Sequence, residues 1–293
     1  MVDLVLEKGR KYRIAVAWAQ DPHTVGALYR AVTDGFAEAV MIGNTDLIKQ
    51  VCNKTSVDHS LFTMVESGNE SLASQEAVRV VREGDADIVM KGLVGTDKFL
   101  KAVMDRENGL MLPNAVLSYV AALQIPEYHK LLFLTDPAVI PLPDLDQKIA
   151  MAEYAIDMAV RFGIEKPRIA LIGASEKMSR HFESSSHYAI MCKMAERGQI
   201  RNCIMDGPLD LFLACDKKSV KLKGIDTPIA GDADIVLFPS LESSNPFYKA
   251  LMLFAGGELG GIIRGTKKPV VVMSRSESEK SKYYCLALAC LMV

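Results

Sequence analysis

Short apolar runs rich in Val, Ile and Leu, each stopped by a turn residue and followed by a longer amphipathic stretch, recur along this chain and leave few fold classes open. Arg13 to Ala19 reads as a strand, Val25 to Glu38 as a helix, and Ala39 to Ile42 as a second strand ending in Gly43-Asn44. The pattern repeats with a helix over Ser74 to Glu83, a strand over Asp87 to Met90, a helix from Thr96 to Asp105 and a strand over Leu131 to Leu134. Such alternation implies a mainly parallel sheet with helices on both faces. A proline cluster follows at Pro137, Pro141 and Pro143. It cannot continue a helix and suits a crossing between domains. Beyond it the alternation resumes. Helices are expected over Asp144 to Phe162, His187 to Arg197 and Tyr248 to Phe254. Strands are expected over Arg168 to Ile172, Ile204 to Asp206, Ile235 to Phe238 and Leu259 to Ile263. A second α/β domain over 138–266 follows from this reading.

With 293 residues, 49% of them hydrophobic and 24% charged, the chain can bury a large core. A net charge of −2 gives no basic face for nucleic acid, and no apolar run reaches the ~18 residues of a membrane span. Met1 to Lys11 lacks the apolar stretch of a signal peptide, so a cytoplasmic protein is expected. The six cysteines show no metal spacing and read as reduced core residues, and the five histidines share no ligand pattern. No metal site is expected.

The stretch Pro269 to Val293 carries the most chemistry. Val270 to Met273 reads as a buried strand, Ser274 to Glu279 as a polar turn, and Tyr283 to Met292 as an apolar helix. A turn at the carboxyl end of a sheet strand is where open α/β folds bind ligands, and a new helix start attracts anions. Arg275 adds a fork of donors suited to phosphate or carboxylate, with the Ser274 hydroxyl beside it. The same serines and glutamates also read as capping boxes, Ser274 with Glu277 or Ser276 with Glu279. Lys91-Gly92 and Thr96 stand at another strand-to-helix step, where glycine permits close approach of a ligand and a Thr cap can face phosphate. An ordinary loop and cap is the alternative. Asn245, Tyr248 and Lys249 precede or open a helix, and fit phosphate contacts or a solvated helix start.

Together these residues resemble the phosphate acetyl/butyryltransferase family, nearer its butyryl branch. The resemblance spans nearly the whole chain. It rests on Val16 to Asp21 (VAWAQD), Lys91-Gly92-Leu93-Val94 with Thr96, Tyr128-His129-Lys130, Thr135-Asp136, Asp206-Gly207-Pro208-Leu209, Gly231-Asp232-Ala233-Asp234, Asn245 with Tyr248-Lys249, and Ser274-Arg275. It implies two α/β/α domains of the isocitrate/isopropylmalate dehydrogenase type with the active site in the cleft between them. It also implies that the tail returns to the first sheet, giving domains of 1–137 plus 267–293 and of 138–266. The reaction implied is reversible exchange of an acyl group between CoA and phosphate through a ternary complex. CoA is then substrate or product, no cofactor is permanently bound, and the protein is a homodimer or higher homo-oligomer.

On this resemblance Ser274 hydrogen-bonds the thioester sulfur or carbonyl oxygen, and Arg275 holds the anionic partner. Ser118 and Thr135 fall near the cleft. The acetyl branch carries an acid seven residues past the serine; here that position is Ser281, and Glu277 or Glu279 is the candidate base instead. A phosphate acetyltransferase and a catalytically impaired CoA-binding relative remain the alternative expectations. A metal- and NAD-dependent dehydrogenase would want clustered aspartates or a GxGxxG turn, and the sequence has neither.

Overall fold

The first strand-to-helix turn shows how local chemistry sets the frame. In this computed structural model, which describes residues 1–274 and 277–293, a short helix α1 (Val2–Leu6) precedes β1 (Tyr12–Ala17) and α2 (Pro22–Thr33). Pro22 takes the first turn of α2, and Asp21 caps the helix by accepting from Thr24 N at 3.0 Å. β2 (Ala37–Gly43), α3 (Thr45–Lys54), β3 (Thr63–Glu66), α4 (Glu70–Arg82), β4 (Ile88–Lys91) and α5 (Thr96–Val103) continue the alternation. Asn44 and Asn69 cap α3 and α4 with their side chains.

Next come β5 (Ser118–Gln124), β6 (Leu132–Thr135), α6 (Leu145–Arg161), β7 (Arg168–Ile172) and α7 (Glu183–Glu196). They are followed by β8 (Ile204–Leu209), α8 (Leu211–Cys215), α9 (Lys217–Lys223), β9 (Ile235–Leu237) and α10 (Leu241–Phe254). The chain ends with β10 (Glu258–Arg264), β11 (Val270–Val271) and α11 (Glu279–Leu291).

Two compact units divide these elements, residues 1–115 with 260–293 and residues 116–259. In the first, the strand order is β3-β2-β1-β4-β11-β10, parallel except for β10 against β11. β1 and β4 are buried almost throughout, as strands covered on both faces must be. α11 is buried along nearly its whole length and packs on α2, and its Tyr283 meets Phe36, just before β2, at 5.7 Å between ring centres. In the second unit the order is β5-β6-β9-β7-β8, with β5 antiparallel to β6 and the rest parallel.

The boundary expected at the proline cluster falls elsewhere. β5 pairs with β6, which carries residues 116–137 into the second unit, and Pro137 to Pro143 merely joins β6 to α6 within it. Residues 260–293 belong to the first unit, where Val270 and Val271 lie beside Val89 and Met90 of β4. The helix read over Val25 to Glu38 stops at Thr33, because Gly35, at φ +89°, turns the chain into β2. The helix read from Tyr248 begins at Leu241, with Pro246 accommodated inside it.

Candidate functional site

β1, β4 and β11 are parallel neighbours, so their carboxyl ends share one edge of the first unit. Lys91 closes β4 and is only 3% exposed. Its Nζ donates to Gly92 O at 3.1 Å and Val94 O at 3.0 Å, which folds the ammonium onto its own loop. Gly92 answers to a different demand from the one read in the sequence. Its N–H donates to Ala17 O at 2.9 Å, and a Cβ at this position would stand 2.5 Å from Trp18 O. The close approach that requires glycine is therefore to the end of β1, where Trp18 itself holds φ at 58°. Thr96 is exposed and opens α5, but the cap position belongs to Gly95, so Thr96 is not the cap expected of it.

Ser274 follows β11 and is exposed; its carbonyl accepts from Glu277 N at 3.2 Å. Arg275 lies outside the described residues, as does Ser276. Glu277 is half-buried. The cap of α11 is Ser278 rather than Ser274: Ser278 Oγ accepts from Ser281 N at 3.1 Å and donates to Ser281 Oγ at 3.1 Å. Ser281, at the acetyl branch's acidic position, is thus buried within the cap. The adjacent Lys282 is 2% exposed, and its ammonium donates to Asp21 Oδ1 at 3.1 Å and Thr24 Oγ1 at 3.0 Å. Burial pushes the Asp21 carboxyl up, but the Thr24 hydrogen bonds and the Lys282 charge outweigh it and leave the group below the ordinary carboxylate range. Asp21 Oδ2 is buried without a hydrogen-bond partner among the described residues. The sequence reading placed Asp21 only within a motif and passed over Lys282. A cation in an otherwise apolar helix was the available signal, since such a residue is almost never buried unless paired.

In the second unit Ser118 and Thr135 are fully buried and face Asp136 rather than an open surface. Asp136, 2% exposed, accepts from Ser118 Oγ at 3.1 Å and from the backbone N–H groups of Tyr119, Ala138, Val139 and Ile140. Burial raises its carboxyl above the usual value despite these donors. Thr135 Oγ1 donates to Tyr119 O at 3.1 Å. Asn245 lies inside α10, not at its opening, and its Nδ2 donates to Pro137 O at 2.8 Å. Ser118, Thr135 and Asn245 therefore meet around Asp136-Pro137. Tyr248 and Lys249 sit further along α10, half-buried and exposed respectively.

The motifs Tyr128 to Lys130 and Asp232 to Asp234 join each other. Lys130 Nζ lies 2.6 Å from Asp234 Oδ1 and 3.3 Å from Asp232 Oδ1, Arg168 reaches Asp232 Oδ2 at 2.9 Å, and Tyr128 OH donates to Ala233 O at 2.7 Å. This cluster ties the starts of β6, β7 and β9 together. Among the described residues no group of three or more His, Cys, Asp or Glu is placed to hold a metal, and no helix is long and apolar enough to cross a membrane.

Comparison with known proteins adds to this geometry. The family described as Phosphate acetyl/butaryl transferase matches residues 69–290. A phosphate butyryltransferase of Clostridium acetobutylicum is 38% identical over 280 residues, covering 96% of this chain and 93% of that one. The crystal structure of a branched-chain phosphotransacylase from Enterococcus faecalis is similar with a TM-score of 0.85 at 30% identity, covering 96% of this chain and 98% of the other. A 4-hydroxythreonine-4-phosphate dehydrogenase from Klebsiella pneumoniae shares the fold alone, with a TM-score of 0.51 at 12% identity over 95% of this chain and 98% of that chain.

Proposed function

This chain belongs to the Phosphate acetyl/butaryl transferase family, and on that premise we propose that it transfers a butyryl or branched-chain acyl group reversibly between CoA and inorganic phosphate. The observation that carries this reading is the near full-length match to a phosphate butyryltransferase. The likeness to a branched-chain phosphotransacylase favours the same branch over acetyl transfer. The burial of Ser281 within a cap agrees with it, since that position supplies no acid.

In the forward direction a phosphate oxygen attacks the thioester carbonyl and the CoA thiolate leaves. Negative charge builds on the carbonyl oxygen and the sulfur, so donors aimed at those atoms are the strongest lever, and holding both anions together supplies much of the rest. We assign the donor role to the Ser274 hydroxyl, exposed at the end of β11, and anion binding to Arg275. Glu277 takes the place of the base. Lys91 and Gly92 shape the neighbouring loop, and the exposed Thr96 is available to phosphate. Ser118, Thr135 and Asn245 act through Asp136-Pro137 as positioning groups, while Tyr248 and Lys249 offer the remaining polar contacts of α10. CoA is released in this direction and taken up in the reverse, and no cofactor is permanently bound. The protein works as a homodimer, because α10 carries Phe247, Tyr248, Leu251, Met252, Leu253 and Phe254 and buries none of them fully within the chain.

The test mixes purified protein, butyryl-CoA and phosphate with a thiol reagent. Phosphate-dependent release of CoA is expected; binding of CoA with no such release would support the impaired relative instead. A series from acetyl- to butyryl- and branched-chain-CoA then orders kcat/KM, each methylene being worth ~1–3 kcal/mol.

A further inference from the structure

The turn after β1 is held in a conformation its sequence does not favour. Trp18, the only tryptophan of the chain, takes φ 58°, where a Cβ crowds the following carbonyl. Its neighbours hold it there. Trp18 O accepts from Leu93 N at 2.8 Å, Ala17 O accepts from Gly92 N at 2.9 Å, and Ala19 N donates to Ile42 O at 3.1 Å. Gln20 Oε1 then accepts from Asn44 N at 3.1 Å, and Asp21 caps α2. Glycine or asparagine would meet the needs of a mere turn at this position. Backbone strain enforced from several sides clusters at functional sites, where it preorganises a side chain.

Position narrows what the indole is for. In the register Ala17 of β1 stands opposite Lys91 of β4, and Met90 stands opposite Val271 of β11, so the three strands end nearly level. Trp18 directly follows the first of these ends and Ser274 lies three residues beyond the last. Two strand spacings, or about 10 Å, separate the two strand ends. In the loops that follow, Trp18, Leu93 and Val272 are the apolar residues left partly exposed among the described residues, while Ala19, Val94 and Met273 are buried. One from each loop, they line the edge from Val272, two residues before Ser274, to Trp18. An acyl group whose carbonyl lies at the Ser274 hydroxyl needs an apolar surface beside it, and the indole is the largest that these loops supply. We propose that Trp18 is the wall against which the acyl chain packs, and that it sets the preference for a butyryl over an acetyl group. The proposal rests on the acyltransferase reading and on the role given there to Ser274.

Two thioesters and two variants test it. Trp18→Gly removes the ring and suits the positive φ, so the turn keeps its conformation. A methylene packed in an apolar pocket is worth about 10–200-fold in kcat/KM, and butyryl exceeds acetyl by two of them. The ratio of kcat/KM for butyryl-CoA to that for acetyl-CoA should therefore fall by about tenfold or more in Trp18→Gly. It should stay within about threefold in Trp18→Phe, which keeps an aromatic face. A ratio in Trp18→Gly equal to that of the unaltered protein would overturn the proposal, because a tryptophan that only shapes the fold moves both substrates together. If the unaltered protein turns over neither thioester, the acyltransferase reading fails on its own, and fluorescence still tests the wall, since all tryptophan emission comes from residue 18. Saturating butyryl-CoA should shift that emission further to the blue than CoA does, as the acyl chain takes water off the ring. Identical spectra with the two ligands would overturn the proposal.

Discussion

The Asp21–Lys282 pair links the first turn of α2 to the first turn of α11 across 261 residues of sequence. Two charges in so dry a place are costly to separate. Lys282→Met leaves the Asp21 carboxylate buried and uncompensated, which should cost about 3–5 kcal/mol. Adding Asp21→Asn should recover most of that loss, because Asn still caps α2. Chemical denaturation of the single and double variants checks both statements. The pair also sets a pH dependence. The folded Asp21 carboxyl lies below its ordinary value, so its contribution is present above the free-aspartate pKa of ~3.9 and is lost as pH falls through the lower folded value. Asp136 runs the other way. Its raised carboxyl favours the fold at low pH, and that contribution is lost as pH rises through the folded value. Stability measured from about pH 6 downward should therefore fall more steeply for the unaltered protein than for Asp21→Asn.

At the scale of elements, the edge formed by β1, β4 and β11 depends on close contact between loops. Gly92→Ala would drive a Cβ into the carbonyls of Trp18 and Ala17, so it should lower both Tm and kcat, whereas Ser278→Ala should cost only the ~1 kcal/mol of a lost cap. Thermal melts of the two variants compare them directly. The strands of this edge were readable because a strand buried on both faces is a continuous apolar run, as in Val89-Met90 and Val270-Val271. β3 was not, since Thr63–Glu66 is an edge strand with no buried residue. β5 begins with the polar pair Ser118-Tyr119 and was missed, which moved the expected unit boundary by some twenty residues. In α10, Pro246 hid the first turns of the helix and so put Asn245 at an opening it does not occupy. The positions of Ser274, Lys91 and Gly92 at strand ends could be read from the apolar runs before them. Lys282 and Asp136 could not be picked out, because what matters in them is a partner or a set of donors that only folding supplies.

For the molecule as a whole, the proposed homodimer would use the unburied apolar side of α10. Phe254 is 83% and Leu253 75% exposed, more than a monomer ordinarily leaves bare at the end of one helix. Analytical ultracentrifugation should find a dimer, and Phe254→Glu should shift it toward monomer. The account as a whole rests on a serine hydroxyl at the end of β11 acting on a thioester, and one experiment reaches that claim most directly. Phosphate-dependent release of CoA from butyryl-CoA is followed for the unaltered protein and for Ser274→Ala. The account predicts turnover by the first and a kcat lower by about 10²–10³-fold in the second, with the fold intact by circular dichroism. Turnover in Ser274→Ala equal to that of the unaltered protein would contradict it.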